Sequence, residues 1–183
     1  MSDRHETEGI RSLKNGFDHA LNDPRAWRHT AKNLLTAADV IGRACDLGFS
    51  QDLSDANVSS AERTARLLGP LLLLRASAIE CLLKAHYVRG GELLAKQGRY
   101  VGPRRLKGHD LRELARATKR TLSADEGVVL AALSDWVTRG RYPLQLTWDQ
   151  HFFGRFATAP AWSKRREAAY RALVARLEAD LAE

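Results

Sequence analysis

The sequence predicts an all-α bundle, and two observations carry this prediction. First, residues Gly69 to Val88 read GPLLLLRASAIECLLKAHYV, in which apolar residues recur three or four positions apart on two faces. Only a narrow polar stripe that includes Glu80 and Lys84 remains, and a helix of this kind is normally surrounded by other helices. Second, three capping boxes stand directly before apolar patterns of helical period, beginning at Ser59, Asp110 and Ser123.

The chain divides into a short polar segment and one domain. Residues 1–22 have few apolar anchors and either form a loose amphipathic helix or stay mobile. A single domain is predicted over residues 23–183. Its first helix begins with Asp23 as N-cap and Pro24 in the first turn, where the missing proline N–H costs nothing. Gly48 is the predicted end of this helix.

The central helix is predicted from about Ser60 to Val88, after a polar loop. Pro70 predicts a break or kink, because proline removes one hydrogen bond and clashes with the preceding turn. Gly90 and Gly91 end the helix. Residues 93–95 are compatible with a further helical turn. Residues 98–108 are basic and rich in glycine and are expected to form an exposed loop.

Three more elements complete the predicted domain. Asp110 starts a short helix that reaches about Thr121, and Ser123 starts a helix that Gly140 closes. The helical pattern is then lost over residues 141–162, which are rich in aromatics and contain two prolines. This part is predicted as an extended segment that packs across the bundle before a last helix capped by Ser163.

Composition narrows the functional classes. Lys and Arg exceed Asp and Glu by 29 to 22, and the net charge of +7 favours polyanionic partners such as RNA, DNA or acidic proteins. No apolar run approaches the roughly 20 residues of a membrane span, and the N-terminus lacks the apolar core of a secretory signal, so a cytoplasmic protein is expected.

Motifs for metals, nucleotides and covalent catalysis are absent from the sequence. Cys45 and Cys81 lie in apolar helical patterns and are predicted as buried core residues. There is no CxxC or Cys/His spacing for zinc, no phosphate-binding glycine loop, no GxSxG and no HExxH. No metal and no cofactor are therefore expected.

Two groups of polar residues stand out in the predicted helices. Glu80 and Lys84 lie one turn apart, either as a surface pair or as a partly buried pair that needs a further cation, for which Arg141 is the candidate. Asp110 is explained as an N-cap. His109, which precedes it, is either a packing residue or a general acid–base group. His86 is predicted as a hydrogen-bonded core histidine.

Two basic segments are candidate phosphate contacts. The RGRYP segment contains Arg141 and Tyr142, and its arginines either complement a helix C-terminus or bind phosphate. The basic loop is either a solvated charged loop or a contact to a nucleic-acid backbone with Tyr100 available for base stacking. Its basic side chains are Lys96, Arg99, Arg104, Arg105 and Lys107.

The order of AIECLLKAHYV, GHDLREL and RGRYP resembles the HEPN-like helical bundles, over roughly Trp27 to Pro143 with residues 163–181 as a closing helix. The resemblance implies an up-and-down bundle of four to five helices that is commonly a homodimer. Many relatives are metal-independent ribonucleases of toxin–antitoxin, antiviral or RNA-processing systems. Others are non-catalytic partners of nucleotidyltransferases or binding modules.

The ribonucleases of this family use an Arg followed by a His about four to six residues later. Arg104 and His109 have four residues between them, in the loop before the short helix, whereas Arg141 has no His at that spacing. The resemblance implies that His109 moves protons between the RNA 2′-hydroxyl and the leaving oxygen, while Arg104 or Arg141 stabilises the phosphorane charge. The binding residues expected around them are Glu80, Lys84, Asp110, Tyr142, Arg99, Arg105 and Lys107.

Two non-enzymatic interpretations compete with the ribonuclease hypothesis. Every residue singled out above also has an adequate structural explanation, as expected for a module that binds RNA, a nucleotide or a partner protein. The chain is also compatible with a scaffold or antitoxin-like subunit encoded beside an effector.

Overall fold

A computed structural model of the chain describes residues 2–46, 60–103, 109–141 and 162–182, without the side chains of residues 2–8, 45–46, 60–66 and 138–141. This part of the chain is mostly helical, as predicted. It contains two short strands, β1 (Ala95–Lys96) and β2 (Arg99–Tyr100), and six helices: α1 (Ser2–Asn22), α2 (Pro24–Asp46), α3 (Ser60–Arg89), α4 (Leu111–Ala117), α5 (Ala124–Arg141) and α6 (Lys164–Asp180).

Helix α3 is the core element, as its apolar pattern predicts. It contacts α2, α4, α5 and α6. Leu72, Ile79, Leu82 and Leu83 of α3 are almost completely removed from solvent, and each such side chain contributes about 1.5–3 kcal/mol through burial. The same helix buries two charged residues, Arg75 and Glu80.

The predicted break at Pro70 is absent, because the backbone of α3 stays helical through this residue. Pro70 is exposed, whereas Leu71 and Leu72 directly after it are buried. Gly69 lies against the ring of Trp136 in α5, since a Cβ atom at Gly69 would be 3.4 Å from the Trp136 Cζ3 atom. Packing on both sides of Pro70 therefore offsets the loss of one helical hydrogen bond.

Three predicted helix starts are confirmed by their capping bonds. The Asp23 carboxylate accepts the Arg25 N–H at 2.8 Å before α2. Before α5, the Ser123 N–H donates to Glu126 at 2.7 Å and the Glu126 N–H donates to the Ser123 hydroxyl at 3.2 Å. The Ser163 side chain caps α6. These bonds satisfy N–H groups that have no partner within the helix.

The Asp110 cap is present, but α4 differs from its prediction in two respects. Asp110 accepts the N–H groups of residues 112 and 113, while the Glu113 side chain pairs with Arg116 instead of closing a capping box. The helix ends at Ala117 and not near Thr121. Lys119 follows with φ at 57°, a left-handed conformation that ends helices.

Residues 2–22 form helix α1, one of the two alternatives for this segment. Asn22 joins the end of α1 to strand β1 and the residue before it. Its Oδ1 accepts the N–H groups of Leu94 and Ala95 at 2.8 and 3.1 Å, and its Nδ2 donates to the Ala95 carbonyl. One turn earlier, Asp18 accepts the Gly98 N–H at 2.9 Å. These bonds join the C-terminal half of α1 to the domain.

Residues 95–100 form an antiparallel β-hairpin, so the predicted helical turn over residues 93–95 is wrong. The exposed loop predicted from Gly98 is wrong only at strand β2, and Arg99 and Val101 are exposed as predicted. The turn residues Gln97 and Gly98 have φ values of 55° and 74°, as a type I′ hairpin turn requires. Strands of two residues are too short to produce a detectable alternation in sequence. Buried Gly102 lies close beneath the Tyr100 ring, where a Cβ atom would be 2.6 Å from the Tyr100 hydroxyl.

Several expectations fall outside the described residues. They concern the helix end at Gly48, the loop after it, the Ser59 capping box and the extended aromatic segment before Trp162. Among the helices that the structure describes, none combines the length and apolarity that crossing a membrane requires.

Candidate functional site

The candidate site is the Glu80 cluster, which consists of Glu80, Lys84 and His109. Glu80 lies on the polar stripe of α3 and is only 5% exposed. Its two carboxylate oxygens have different partners: Lys84 Nζ lies 2.6 Å from Oε1, and His109 Nδ1 lies 3.0 Å from Oε2. Of the two alternatives predicted for Glu80 and Lys84, the structure therefore shows the buried pair, which requires such partners to offset desolvation.

Lys84 is enclosed by helix α2. Its side chain is 12% exposed, and its ammonium group lies 4.9 Å from the centre of the Trp27 ring. A cation over an indole face is attracted by the ring quadrupole, most strongly where water is excluded. Trp27 is fixed in turn, because its Nε1 donates to the Leu21 carbonyl at 2.8 Å. Lys84 is thus held between a carboxylate and an aromatic ring.

The cluster keeps Glu80 ionised at neutral pH. Burial alone raises the pKa of the Glu80 carboxyl, but Lys84 and His109 together outweigh it, so the pKa lies below its ordinary value. The neighbouring Cys81 responds in the opposite direction: burial and the charge of Glu80 raise the pKa of its thiol to about 11. Cys81 is a neutral buried residue, as predicted, whereas the Cys45 side chain lies outside the described part.

His109 is held in place by backbone as well as by Glu80. It has φ at 57°, in the left-handed region where histidine is enriched among non-glycine residues. Two residues later, the Leu111 N–H donates to the Ser134 hydroxyl of α5 at 2.9 Å. Because a carboxylate only accepts, Nδ1 must be the donor, and the neutral ring then carries its lone pair on Nε2. His109 is therefore an oriented imidazole whose side chain is 26% exposed.

The structure places the other predicted site residues as follows. Asp110 is the N-cap of α4, and Arg99 is an exposed residue of β2. The sequence predicts Arg141 as the further cationic partner of Glu80. In the structure, His109 contacts the Glu80 oxygen that Lys84 does not. The Arg141 side chain lies outside the described part of the chain, as do four other predicted site residues: Arg104, Arg105, Lys107 and Tyr142.

A cleft of about 670 Å³ lies between α4 and α5, and His109 is not among the residues that line it. Three arginines line it, namely Arg112 and Arg116 of α4 and Arg120 beyond the end of that helix. Arg116 pairs with Glu113, Arg120 pairs with Asp180, and Asp135 also lines the cleft. These three carboxylates offset the three arginines, so the cleft has no excess of positive charge.

A second buried charge cluster is centred on Arg75 and has no counterpart among the predicted sites. Its guanidinium pairs with both oxygens of Glu167, with Nη1–Oε2 at 2.6 Å and Nη2–Oε1 at 3.0 Å. The Tyr170 ring centre lies 4.7 Å from Arg75 Cζ, and Trp162 donates its indole N–H to Glu167 at 2.7 Å. The one sequence signal is an arginine within the most apolar helix.

His86 is satisfied by two partners, as predicted for a core histidine. Arg120 Nη2 lies 2.9 Å from Nδ1, and the Leu177 carbonyl lies 2.9 Å from Nε2. Arginine only donates, so Nδ1 accepts and Nε2 carries the proton. Burial lowers the pKa of His86, with a smaller contribution from the Arg120 charge. Both nitrogens of this imidazole are engaged, so His86 is not a candidate acid–base group.

Comparison with known proteins identifies no family for this chain. No protein-family model, no curated protein and no solved structure matches the chain. Within residues 2–46, 60–103, 109–141 and 162–182, no group of three His, Cys, Asp or Glu side chains is placed to hold a metal ion.

The lowered pKa of Glu80 predicts a pH dependence of stability. A carboxyl with a lower pKa in the folded state contributes stability above its ordinary pKa of 4.5, and this contribution is lost as the pH falls through the folded pKa. The difference in unfolding free energy between wild type and Glu80→Gln should therefore shrink between about pH 5 and pH 3. Urea unfolding across this range measures it, and a difference that stays constant contradicts the assignment.

Proposed function

We propose that the chain is a HEPN-like protein that acts on RNA as a metal-independent endoribonuclease, with His109 as its acid–base group. The observation that carries this proposal is the 3.0 Å contact between His109 Nδ1 and the buried, ionised Glu80. A carboxylate behind an imidazole fixes its tautomer and stabilises the imidazolium that forms when the ring takes a proton. The net charge of +7 supports an anionic polymer as substrate.

In the proposed reaction, Nε2 of His109 takes the proton of a ribose 2′-hydroxyl. The 2′-oxygen attacks the adjacent phosphorus, the bond to the 5′-oxygen of the next nucleotide breaks, and that oxygen receives the proton from the His109 imidazolium. The products are a 2′,3′-cyclic phosphate and a 5′-hydroxyl. The sequence candidates Arg104 and Arg141 are the cations that would stabilise the charge on phosphorus.

The proposal includes the finer features that the family resemblance implies. These are an up-and-down bundle of four to five helices, a homodimer, a cytoplasmic location and a setting such as a defence or toxin–antitoxin system. They rest on the motif order in the sequence together with the helical content of the structure.

A non-catalytic interaction or nucleotide-binding module is the second candidate, and one observation favours it. Glu80 is 5% exposed and both its oxygens are engaged, so the Glu80 cluster ties α3 to the residue that precedes the α4 N-cap. A structural clamp of this kind explains the pairing of all three side chains without invoking a substrate.

The substitution His109→Asn separates the two functions. The asparagine amide can donate to Glu80 as Nδ1 does and tolerates the left-handed backbone, but it cannot transfer protons. We expect wild type to cleave labelled RNA in EDTA and His109→Asn to be slower by about 10²–10⁴-fold. The matched control is His29→Ala, which alters an exposed histidine of α2. Failure of wild type to cleave, or equal cleavage by His109→Asn, rejects the ribonuclease.

A further inference from the structure

A second cleft, of about 570 Å³, lies between α2 and α6, with Arg75 of α3 also in its lining; we call it the Arg75 cleft. Its size is that of small-molecule sites, which cover about 300–1,000 Å³. Four cationic side chains and two acidic ones line it: Lys32, Arg43, Arg75 and Arg171, with Asp39 and Glu178. Apolar surface comes from Leu35, Val174 and the Tyr170 ring. The lining thus combines an excess of positive charge with an apolar wall.

Arg75 is held rigidly in this cleft. It is 6% exposed, and Glu167 accepts one hydrogen from each of its two terminal nitrogens. Its guanidinium also lies over the Tyr170 ring, with 4.7 Å between Cζ and the ring centre. Glu167 is shared with Arg171, at 2.8 Å from its Nε, so one carboxylate serves two guanidinium groups. Positive charge therefore remains at this end of the cleft.

Among the described residues, the second donor edge of Arg75 has no acceptor. A guanidinium offers five N–H groups, and the Glu167 contact leaves the edge formed by Nε and the other hydrogen of Nη2. Within the described residues, buried Nε has no hydrogen-bond partner. A buried donor without an acceptor costs about 1–3 kcal/mol, so it is rare in folded proteins and calls for an explanation.

Gly42 of α2 leaves space beside this edge. A Cβ atom at Gly42 would lie 3.8 Å from Arg75 Nη2 and 3.9 Å from Leu71 Cδ1, and Gly42 itself lines the cleft. Alanine would fit there without a clash, and it favours helix over glycine. The glycine is therefore not required by close packing of α2 on α3.

We propose that the Arg75 cleft binds a small organic oxyanion, a carboxylate or phosphate monoester, with its oxygens on the Nε–Nη2 edge of Arg75. Two parallel N–H donors match two oxygens of either group. The apolar part of the ligand packs against Leu35, Val174 and the Tyr170 ring, and Lys32 and Arg43 attract the charge. This site is independent of the proposed ribonuclease activity.

Titration calorimetry with phenyl phosphate, benzoate and benzyl alcohol tests the proposal on the full chain. We expect wild type to bind at least one of the two anions and to bind benzyl alcohol at least tenfold more weakly, about the difference that a charge-assisted bidentate contact makes. Binding of phenyl phosphate alone identifies a phosphate site, and binding of both anions a general oxyanion site.

Gly42→Ala is the decisive variant, because it adds one methyl group beside Nη2 without straining the helix. We expect it to weaken anion binding about tenfold while its melting temperature stays at or above that of wild type. Gly127→Ala is the matched control, since a Cβ atom there meets nothing within 4 Å. The proposal is overturned if wild type binds neither anion, if Gly42→Ala binds as wild type does, or if benzyl alcohol binds as tightly as the anions.

Discussion

Replacing Glu80 by alanine is expected to lower the free energy of unfolding by about 3–5 kcal/mol, the range observed when one partner of a buried ion pair is removed. The substitution leaves the Lys84 ammonium, whose side chain is 12% exposed, without its carboxylate, and it removes the acceptor of His109 Nδ1. The lost His109 contact is one that joins α3 to the start of α4. Equilibrium urea unfolding of the full chain measures it.

Glu113→Ala provides the matched control for Glu80→Ala. Glu113 also pairs with a basic residue of its own helix, Arg116, but the Arg116 side chain is 60% exposed. An exposed pair of this kind contributes about 0–1 kcal/mol. If Glu80→Ala were no more destabilising than Glu113→Ala, the burial and pairing assigned to the Glu80 cluster would be wrong.

Replacing Glu167 by alanine is expected to cost about 3 kcal/mol, because the Arg75 guanidinium then keeps its charge inside the protein without a carboxylate. The indole N–H of Trp162 loses its acceptor in the same variant. Glu167→Gln should be less harmful, since an amide oxygen still accepts one hydrogen from the arginine or the indole. Thermal unfolding of the two variants gives the comparison.

Asp125→Ala serves as control for the Glu167 prediction. Asp125 pairs with Arg165 of α6, as Glu167 of α6 pairs with Arg75, but the Arg165 side chain is 80% exposed. No measurable change in the unfolding midpoint is expected from this exposed pair. A Glu167→Ala variant as stable as Asp125→Ala would show that Arg75 is readily solvated.

The helix starts could be predicted from sequence because capping acts over three residues. Asp23, Ser123 and Ser163 each bond to a backbone N–H two or three positions further along the chain. The end of α4 could not be predicted in this way. No glycine lies between Asp110 and Thr121, and Lys119 adopts the left-handed conformation in its place.

Helical periodicity explains only the part of the candidate site that lies on α3. Glu80 and Lys84 are four residues apart on one helix, so periodicity alone brings them together. His109 lies 29 residues from Glu80, and their contact depends on the packing of α4 against α3. Arg75 and Glu167 are 92 residues apart and belong to helices whose relative placement no sequence pattern specifies. Long-range charge pairs of this kind follow from tertiary packing.

The tautomer of His109 tests the central claim most directly, because both the clamp and the proposed catalysis require Nδ1 to donate to Glu80. Nitrogen NMR of the imidazole, at a pH where the ring is neutral, distinguishes the two tautomers, and His109→Asn assigns the signal. We expect the proton on Nδ1 in wild type and a larger population of the Nε2–H tautomer in Glu80→Gln. A wild-type ring protonated on Nε2, or a ring unaffected by Glu80→Gln, would contradict the account.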